Sequence, residues 1–136
     1  MKTLHKQLNV STKNSNQMLD ITDEVKSAVN DSGIKDGFCL VFCPHTTAGI
    51  TINENADPSV VDDMLMVFSQ LIPHSNRGYR HSEGNSDAHC KSTLVGASEH
   101  IIIKDSQLLL GTWQGIYFCE FDGPRTREVN LFLCGQ

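Results

Sequence analysis

Residues 57 to 73 leave the chain little choice of local structure. Asp57 is a residue type that caps helices and Pro58 suits the first helical position. Val60, Val61, Met64, Leu65, Phe68 and Leu71 then share one wide apolar face until Pro73 ends the pattern. An earlier helix is predicted where Asp20 and Thr22 supply cap-type residues and Ile21, Val25, Ala28 and Val29 recur at helical spacing up to Gly33. A shorter one runs from about Ser86 to Val95, closed by Gly96, with Ala88, Leu94 and Val95 as its core candidates. The rest reads mostly as strand: Leu4 to Val10, Phe38 to Cys43, Ala48 to Asn53, Ile101 to Ile103, Leu108 to Leu110, Trp113 to Phe121 and Val129 to Cys134. The polar run Ser11 to Gln17 predicts a hairpin after the first strand, and Asp122-Gly123-Pro124 a turn between the last two. About three helices among these strands define an α+β fold.

A chain of 136 residues, 39% hydrophobic and 20% charged, matches one ordinary globular domain spanning 1–136, with no linker, repeat or low-complexity tract. Its formal charge of −5 opposes the phosphate attraction on which most nucleic-acid binders rely, so no nucleic-acid partner is expected. Arg77, Arg80, Arg125 and Arg127 all fall in the second half, where a local basic pocket for a small anion can coexist with an acidic exterior. The longest strongly apolar run, Phe38 to Cys43, is too short to cross a bilayer, and no apolar segment of signal-peptide type follows Met1. A cytoplasmic protein with no membrane partner is the expectation. Five cysteines without a C-x-x-C pair argue against a disulfide framework, and most read as buried thiols. No P-loop, G-x-G-x-x-G or G-x-S-x-G is present, so no nucleotide cofactor is expected.

Polar residues interrupt this pattern at several places. His45, with Thr46 and Thr47, directly follows an apolar strand and reads either as a site histidine or as a turn residue whose neighbours bond their own backbone. Asn53, Glu54 and Asn55 form a polar cluster ahead of the Asp57 cap, and Glu54 is placed to orient an imidazole or act as a base. Residues 74 to 87 have no apolar period, long for a structureless loop in a small domain, and loops of that length are usually functional or disordered. His81 and His89, eight apart across a glycine turn, can converge on one ion, although the spacing fits no standard metal motif and a solvent-facing role is open. Trp113 can stack on a flat heterocycle while Gln114 reads its edge, or it can be core. Glu120, within an apolar strand, is costly to bury unless paired with a cation or a metal. Arg125 and Arg127 share a face if the last strand begins there, as a phosphate clamp or as a solvated pair.

Taken in order, His45-Thr46-Thr47-Ala48-Gly49, Asn53-Glu54 with Asp57, Tyr79-Arg80-His81 through Gly84-Asn85 to His89, Gly111-Thr112-Trp113-Gln114, and Glu120 with Asp122-Gly123-Pro124-Arg125 resemble the YjbQ-like family, whose members are also named secondary thiamine-phosphate synthases. The resemblance covers nearly the whole chain. It implies a compact α+β domain with a mixed sheet, assembled as a homotrimer with clefts near subunit boundaries. It further implies that His45, His81, Asn85, His89, Trp113, Gln114, Glu120 and Arg125 contribute to one site, and that the histidines bind a metal.

The expectation is therefore an enzyme acting on a small phosphorylated or heterocyclic metabolite, with thiamine-phosphate synthase activity as the version the resemblance implies. Catalysis would fall to His45, Glu54, His81, Asn85, His89 and Glu120. Substrate contacts would come from Thr46, Thr47, Asn53, Trp113, Gln114 and Arg125, and a divalent ion such as zinc would sit on His45, His81 and His89. The competing reading is a ligand- or metal-binding module without turnover. A purely structural trimer is disfavoured by the polar residues gathered in 74 to 87.

Overall fold

The computed structural model describes all residues from 1 to 136. Its order is β1 (Lys2–Ser11), β2 (Gln17–Asp20), α1 (Thr22–Ser32), β3 (Gly37–Phe42), β4 (Ala48–Glu54), α2 (Pro58–Leu71), α3 (Ser86–Val95), β5 (Ser98–Lys104), β6 (Gln107–Leu108), β7 (Gln114–Glu120) and β8 (Thr126–Gly135). The strands form two sheets rather than one. A five-stranded sheet runs β1-β8-β3-β5-β6 and a three-stranded sheet β2-β7-β4. Every pair is antiparallel, where the resemblance implied a mixed sheet.

Alternation along the strands explains the layering. Val129, Leu131 and Leu133 of β8, with Cys39 and Val41 of β3 and Ile101 and Ile103 of β5, point inward from the larger sheet. They meet Ile116 and Phe118 of β7, Ile50 of β4, and Val25, Ala28 and Val29 of α1 in one core of 18 buried residues. The opposite face of β7 carries Tyr117 and Cys119, which with Met18, Ala88 and Phe121 form a second cluster. Val61, Met64, Leu65 and Phe68 of α2 and Val95 of α3 cover that cluster, with the Phe68 and Phe121 rings edge to face at 6.1 Å. β7 is thus buried on both faces.

The caps follow the residues expected to make them. Asp57 Oδ1 accepts the Ser59 amide at 2.9 Å with Pro58 opening α2, and Gly33 ends α1 in a left-handed conformation, φ 67°. Asp20 does not hold the capping position itself but accepts both the amide (2.9 Å) and the hydroxyl (2.5 Å) of Thr22.

Several expectations change. Residues 11 to 17 do not close a hairpin, because β1 pairs with β8 and β2 with β7, so the run carries the chain from one sheet to the other. The Asp122-Gly123-Pro124 turn makes the return crossing from β7 to β8. In α3 the buried residues are Asp87, Ala88, Lys91 and Ser92, while Leu94 is exposed. All five cysteines are free, with Cys39, Cys43 and Cys119 buried, Cys134 half-buried and Cys90 exposed. Burial pushes the Cys39 and Cys119 thiols up to about 12, which leaves them unreactive near neutrality. No helix is long and apolar enough to cross a membrane.

Candidate functional site

Three connections cross between the sheets at one end of the molecule: β1 to β2, β3 to β4 and β7 to β8. They are bonded to one another. Thr12 N–H donates to Arg125 O at 2.9 Å, Gly123 N–H to Ser15 O at 3.1 Å, and Phe121 N–H to Thr47 O at 3.1 Å. Beneath them lies the Glu120 carboxylate, fully buried on β7, facing Arg127 on β8, which is 3% exposed. Arg127 Nε donates to Glu120 Oε1 at 2.8 Å, and Arg127 Nη2 contacts Glu120 Oε2 and donates to Thr47 Oγ1 at 2.8 Å. Thr12 Oγ1 adds a bond to Oε1 at 2.8 Å and the Asp122 amide one to Oε2 at 3.1 Å. Burial alone would raise the Glu120 pKa. The bonds from Arg127, Asp122 and Thr12 reverse that and hold it below its ordinary value. With both oxygens engaged, Glu120 fastens the two sheets together under the site.

Above this clamp is an open cleft of about 440 Å³, lined by Pro44, His45, Thr46, Thr47, His81, Glu83, Asn85, His89, Asp122, Arg125 and Arg127, none of them hydrophobic. His45 comes from the β3–β4 crossing. Its Nε2 lies 2.9 Å from the Glu128 amide and 3.2 Å from Glu128 O, and the shorter contact, in which the amide donates, assigns the ring proton to Nδ1. Burial first, and the Arg127 charge second, lower the His45 pKa, so the ring is neutral at neutral pH. His81 and His89 stand edge to face with centroids 5.3 Å apart, one from the loop before α3 and one from its first turn, and the intervening turn uses Gly84 at φ 71°. Arg125 lies just before β8 rather than on it, so the two arginines do not form the expected strand-face pair. Its Nε donates to Asp122 O and its Nη2 to Asp122 Oδ2, both at 2.9 Å, which leaves Nη1 without a protein partner.

The model described as UPF0047 protein YjbQ-like matches residues 6–136. The chain belongs to the YjbQ-like UPF0047 family. UPF0047 protein YugU of Bacillus subtilis (strain 168) is 54% identical over 130 residues, spanning 96% of this chain and 98% of the relative. A UPF0047 protein of Methanocaldococcus jannaschii is 56% identical over 127 residues, spanning 93% and 91%. Among solved structures, an uncharacterized conserved protein of the YjbQ/UPF0047 family from Clostridium acetobutylicum has a TM-score of 0.93 at 53% identity, covering 95% of this chain and 99% of that one. A YbjQ-like protein of unknown function from Sulfolobus solfataricus P2 has a TM-score of 0.95 at 35% identity, covering 99% of each.

In this YjbQ-like chain the residues expected at one site separate into two groups. His45, Thr46, Thr47, His81, Asn85, His89 and Arg125 line the cleft. Asn53, Glu54, Trp113 and Gln114 do not: β4 and β7 pair with Ala48 opposite Glu120 at the cleft end and Glu54 opposite Gln114 at the other, a separation of ~20 Å along the strands. There Trp113 is 63% exposed, so it is not core, and Gln114 Oε1 accepts the Gly111 amide at 2.8 Å. No three His, Cys, Asp or Glu side chains converge as a metal site within the chain, so His45, His81 and His89 do not close on one ion as arranged here. Sequence reasoning missed the linking role of Asp122 and the part of Thr12 in the clamp. It also missed a buried pair beneath α3, in which Lys91 Nζ donates to Asp87 Oδ2 and to Asn16 Oδ1, both at 3.1 Å. The four-residue spacing of Asp87 and Lys91 on a predicted helix was the available signal.

Proposed function

We propose that the protein is an enzyme that binds a small phosphorylated metabolite in the cleft and moves a proton with its histidines. The observation that carries this reading is the lining itself: three histidines and two arginines from three chain segments converge on a cleft without one hydrophobic side chain. Arg125 Nη1 is the anchor for an anionic oxygen, with its guanidinium held in place by Asp122. His45 offers its Nδ1–H as a donor to negative charge on the ligand, and the paired His81 and His89 supply the group that takes up or releases a proton. The same lining argues for a phosphate rather than a stacked heterocycle. A thiamine-phosphate synthase has two rings to hold, and the aromatic wall expected for them, Trp113 with Gln114, lies at the far end of the sheet. Turnover of small phosphate esters followed by 31P NMR tests the proposal: activity lost in His45→Ala and His89→Ala variants that remain folded supports an enzyme, and reversible binding without product supports a module instead.

The nearness of His81 and His89 favours one competing arrangement, a divalent ion such as zinc held by these two and His45 after the three rings close up. Elemental analysis of protein purified without chelators, beside His45→Ala, His81→Ala and His89→Ala, decides it. Near one ion per chain, lost in the variants, supports the metal site, and no ion after reloading leaves acid–base chemistry.

We also infer that the chain works as a homo-oligomer, a trimer in the form the family resemblance implies. Support comes from apolar side chains on the outer face of the larger sheet, Phe38, Phe42, Ile102 and Phe132, all exposed in the single chain.

A further inference from the structure

Residues opposite one another on neighbouring strands point to the same side of a sheet, so the outer face of the larger sheet can be followed from its register. Across β1, β8, β3 and β5 its middle row reads His5-Phe132-Leu40-His100. The row on one side holds Phe38 and Ile102, and the row on the other holds Phe42. Three rows on four strands make twelve positions, and none of them is Asp, Glu, Lys or Arg. An exposed surface of that size ordinarily carries about three or four such residues. The chain has a formal charge of −5, so copies repel one another at a distance, and a face free of charge is one at which they meet without setting like charges together.

Two groups inside this face change charge near neutrality, and they are placed differently. His5 is on the edge strand β1 and holds Asn130 Oδ1 at 2.8 Å. His100 is exposed in the single chain but set among apolar neighbours: Leu40 lies opposite it, Phe38 and Phe42 diagonally across β3, and Ile102 next on its own side of β5. The charges on this side of the sheet stand at its ends. Lys104 is four residues along β5 from His100, Glu128 four along β8 from Phe132, and the amino group of Met1 precedes β1, each ~13 Å or more from His100. Cys134, opposite Phe38, is half-buried. Against β5, β3 brings the inward, buried Cys39, β6 brings no titratable group, and β4, packed from the inner side, brings Glu54. Glu99 of β5 alternates with His100 and so points inward. No carboxylate on the outer face therefore stands near enough to His100 to hold a charge on it.

From this placement we infer that self-association through the outer face is switched by pH at His100: copies hold together while its ring is neutral and part when the ring gains a proton. The inference rests on the reading of this face as the self-association surface and adds its regulation. Under a partner, a neutral imidazole packs among Leu40, Phe38 and Ile102, whereas an imidazolium would be stripped of water with no anion to pair. Assembled chains thus bind fewer protons at His100 than separate ones. Association is complete above the range in which imidazoles titrate and weakens as pH falls through it.

The test is sedimentation velocity of the full chain at pH 7.5 and pH 5.5, with folding followed by circular dichroism at both. The wild type is expected to associate at pH 7.5 and to show a dissociation constant at least ~10-fold larger at pH 5.5. His100→Gln and His100→Leu, neutral throughout, should associate equally at both values. His100→Lys, charged throughout, should sediment as a single chain even at pH 7.5, and His5→Gln should follow the wild type. A wild type that associates equally well at both values overturns the switch while leaving self-association intact. A loss at pH 5.5 that persists in the neutral variants, or a His100→Lys protein that stays assembled, overturns the assignment to His100. A wild type that is a single chain at both values overturns the self-association reading, and this inference with it.

Discussion

Glu120 and Arg127 face each other across the gap between the two sheets, and the energetics of that contact decide what either can do. A carboxylate inside an apolar strand is tolerated only with a cation against it, which the sequence signals at Glu120 without indicating which cation. The partner is Arg127, on the neighbouring sheet, and with Thr12 and the Asp122 amide it engages both carboxylate oxygens. Removing one partner leaves the other charged and buried, so Glu120→Gln is expected to destabilise the fold by about 3–5 kcal/mol in chemical denaturation. The pH dependence follows from the direction of the shift. Folding lowers the Glu120 pKa, so the pair's contribution is complete above the unfolded-chain value of ~4.3 and is lost as pH falls through the lower folded value. The wild type should therefore lose stability below about pH 4 more steeply than Glu120→Gln. Parallel acid titrations of the two proteins would contradict the clamp.

At the scale of elements, what the sequence reveals divides by range. Helix ends are local events, and Asp57-Pro58 and Gly33 mark them as they stand in the fold. Strand partners are not local: the polar run after β1 says that the chain turns but not that it changes sheets, and nothing in Trp113-Gln114 or Asn53-Glu54 says that their strands carry them away from His45. The cleft residues were legible as residue types: His45 and Arg125 because polar groups beside apolar strands are conspicuous, and His81, Asn85 and His89 because they fall in or just after a long stretch without apolar period. Their convergence depends on three crossings that only the pairing register determines. Helix α3 is the instructive case. Its buried face holds Asp87, Lys91 and Ser92, so apolar periodicity misassigns Leu94, and the helix lies close on β4 because Ser92 Oγ donates to Ala48 O at 2.6 Å and Gly49 has no side chain. A Cβ on Gly49 would sit 2.6 Å from Gly96 O, and that oxygen is already bonded to the Ile50 amide at 3.0 Å. Gly49→Ala should therefore cost about 1–3 kcal/mol, measured by thermal or chemical unfolding, by pushing α3 off the strand. As α3 carries His89 and follows Asn85, the same substitution should weaken phosphate binding in the cleft, whereas an unchanged stability would mean that the contact relaxes freely.

For the whole molecule, the larger sheet poses a problem that a single chain does not solve. β3 reads Gly37-Phe38-Cys39-Leu40-Val41-Phe42, and its alternate residues Cys39 and Val41 are fully buried, yet the residues between them are apolar as well. Runs of that kind belong to strands covered on both faces. The neighbouring strands continue the outer surface, with Ile102 and Cys134 beside Phe38, and Phe132 beside Leu40. Phe38, Phe42, Ile102 and Phe132 remain 43%, 40%, 58% and 41% exposed, a contiguous apolar surface that a solitary soluble chain would leave in water. Self-association through this face would cover it. Sedimentation equilibrium should accordingly give a mass above the 15.1 kDa of one chain, near three times it if the assembly is the trimer that the family resemblance implies, and Phe38→Lys with Phe132→Lys should shift it toward one chain while circular dichroism stays unchanged. The fold should survive because both side chains point away from the core that Leu131, Leu133, Cys39 and Val41 fill from the other face of the same strands. A wild-type protein that sediments as a single chain would leave the outer face without a role in assembly. A double variant that keeps its mass would move the contact elsewhere, and one exposed apolar alternative is α2, where Met66, Val67 and Leu71 point to solvent.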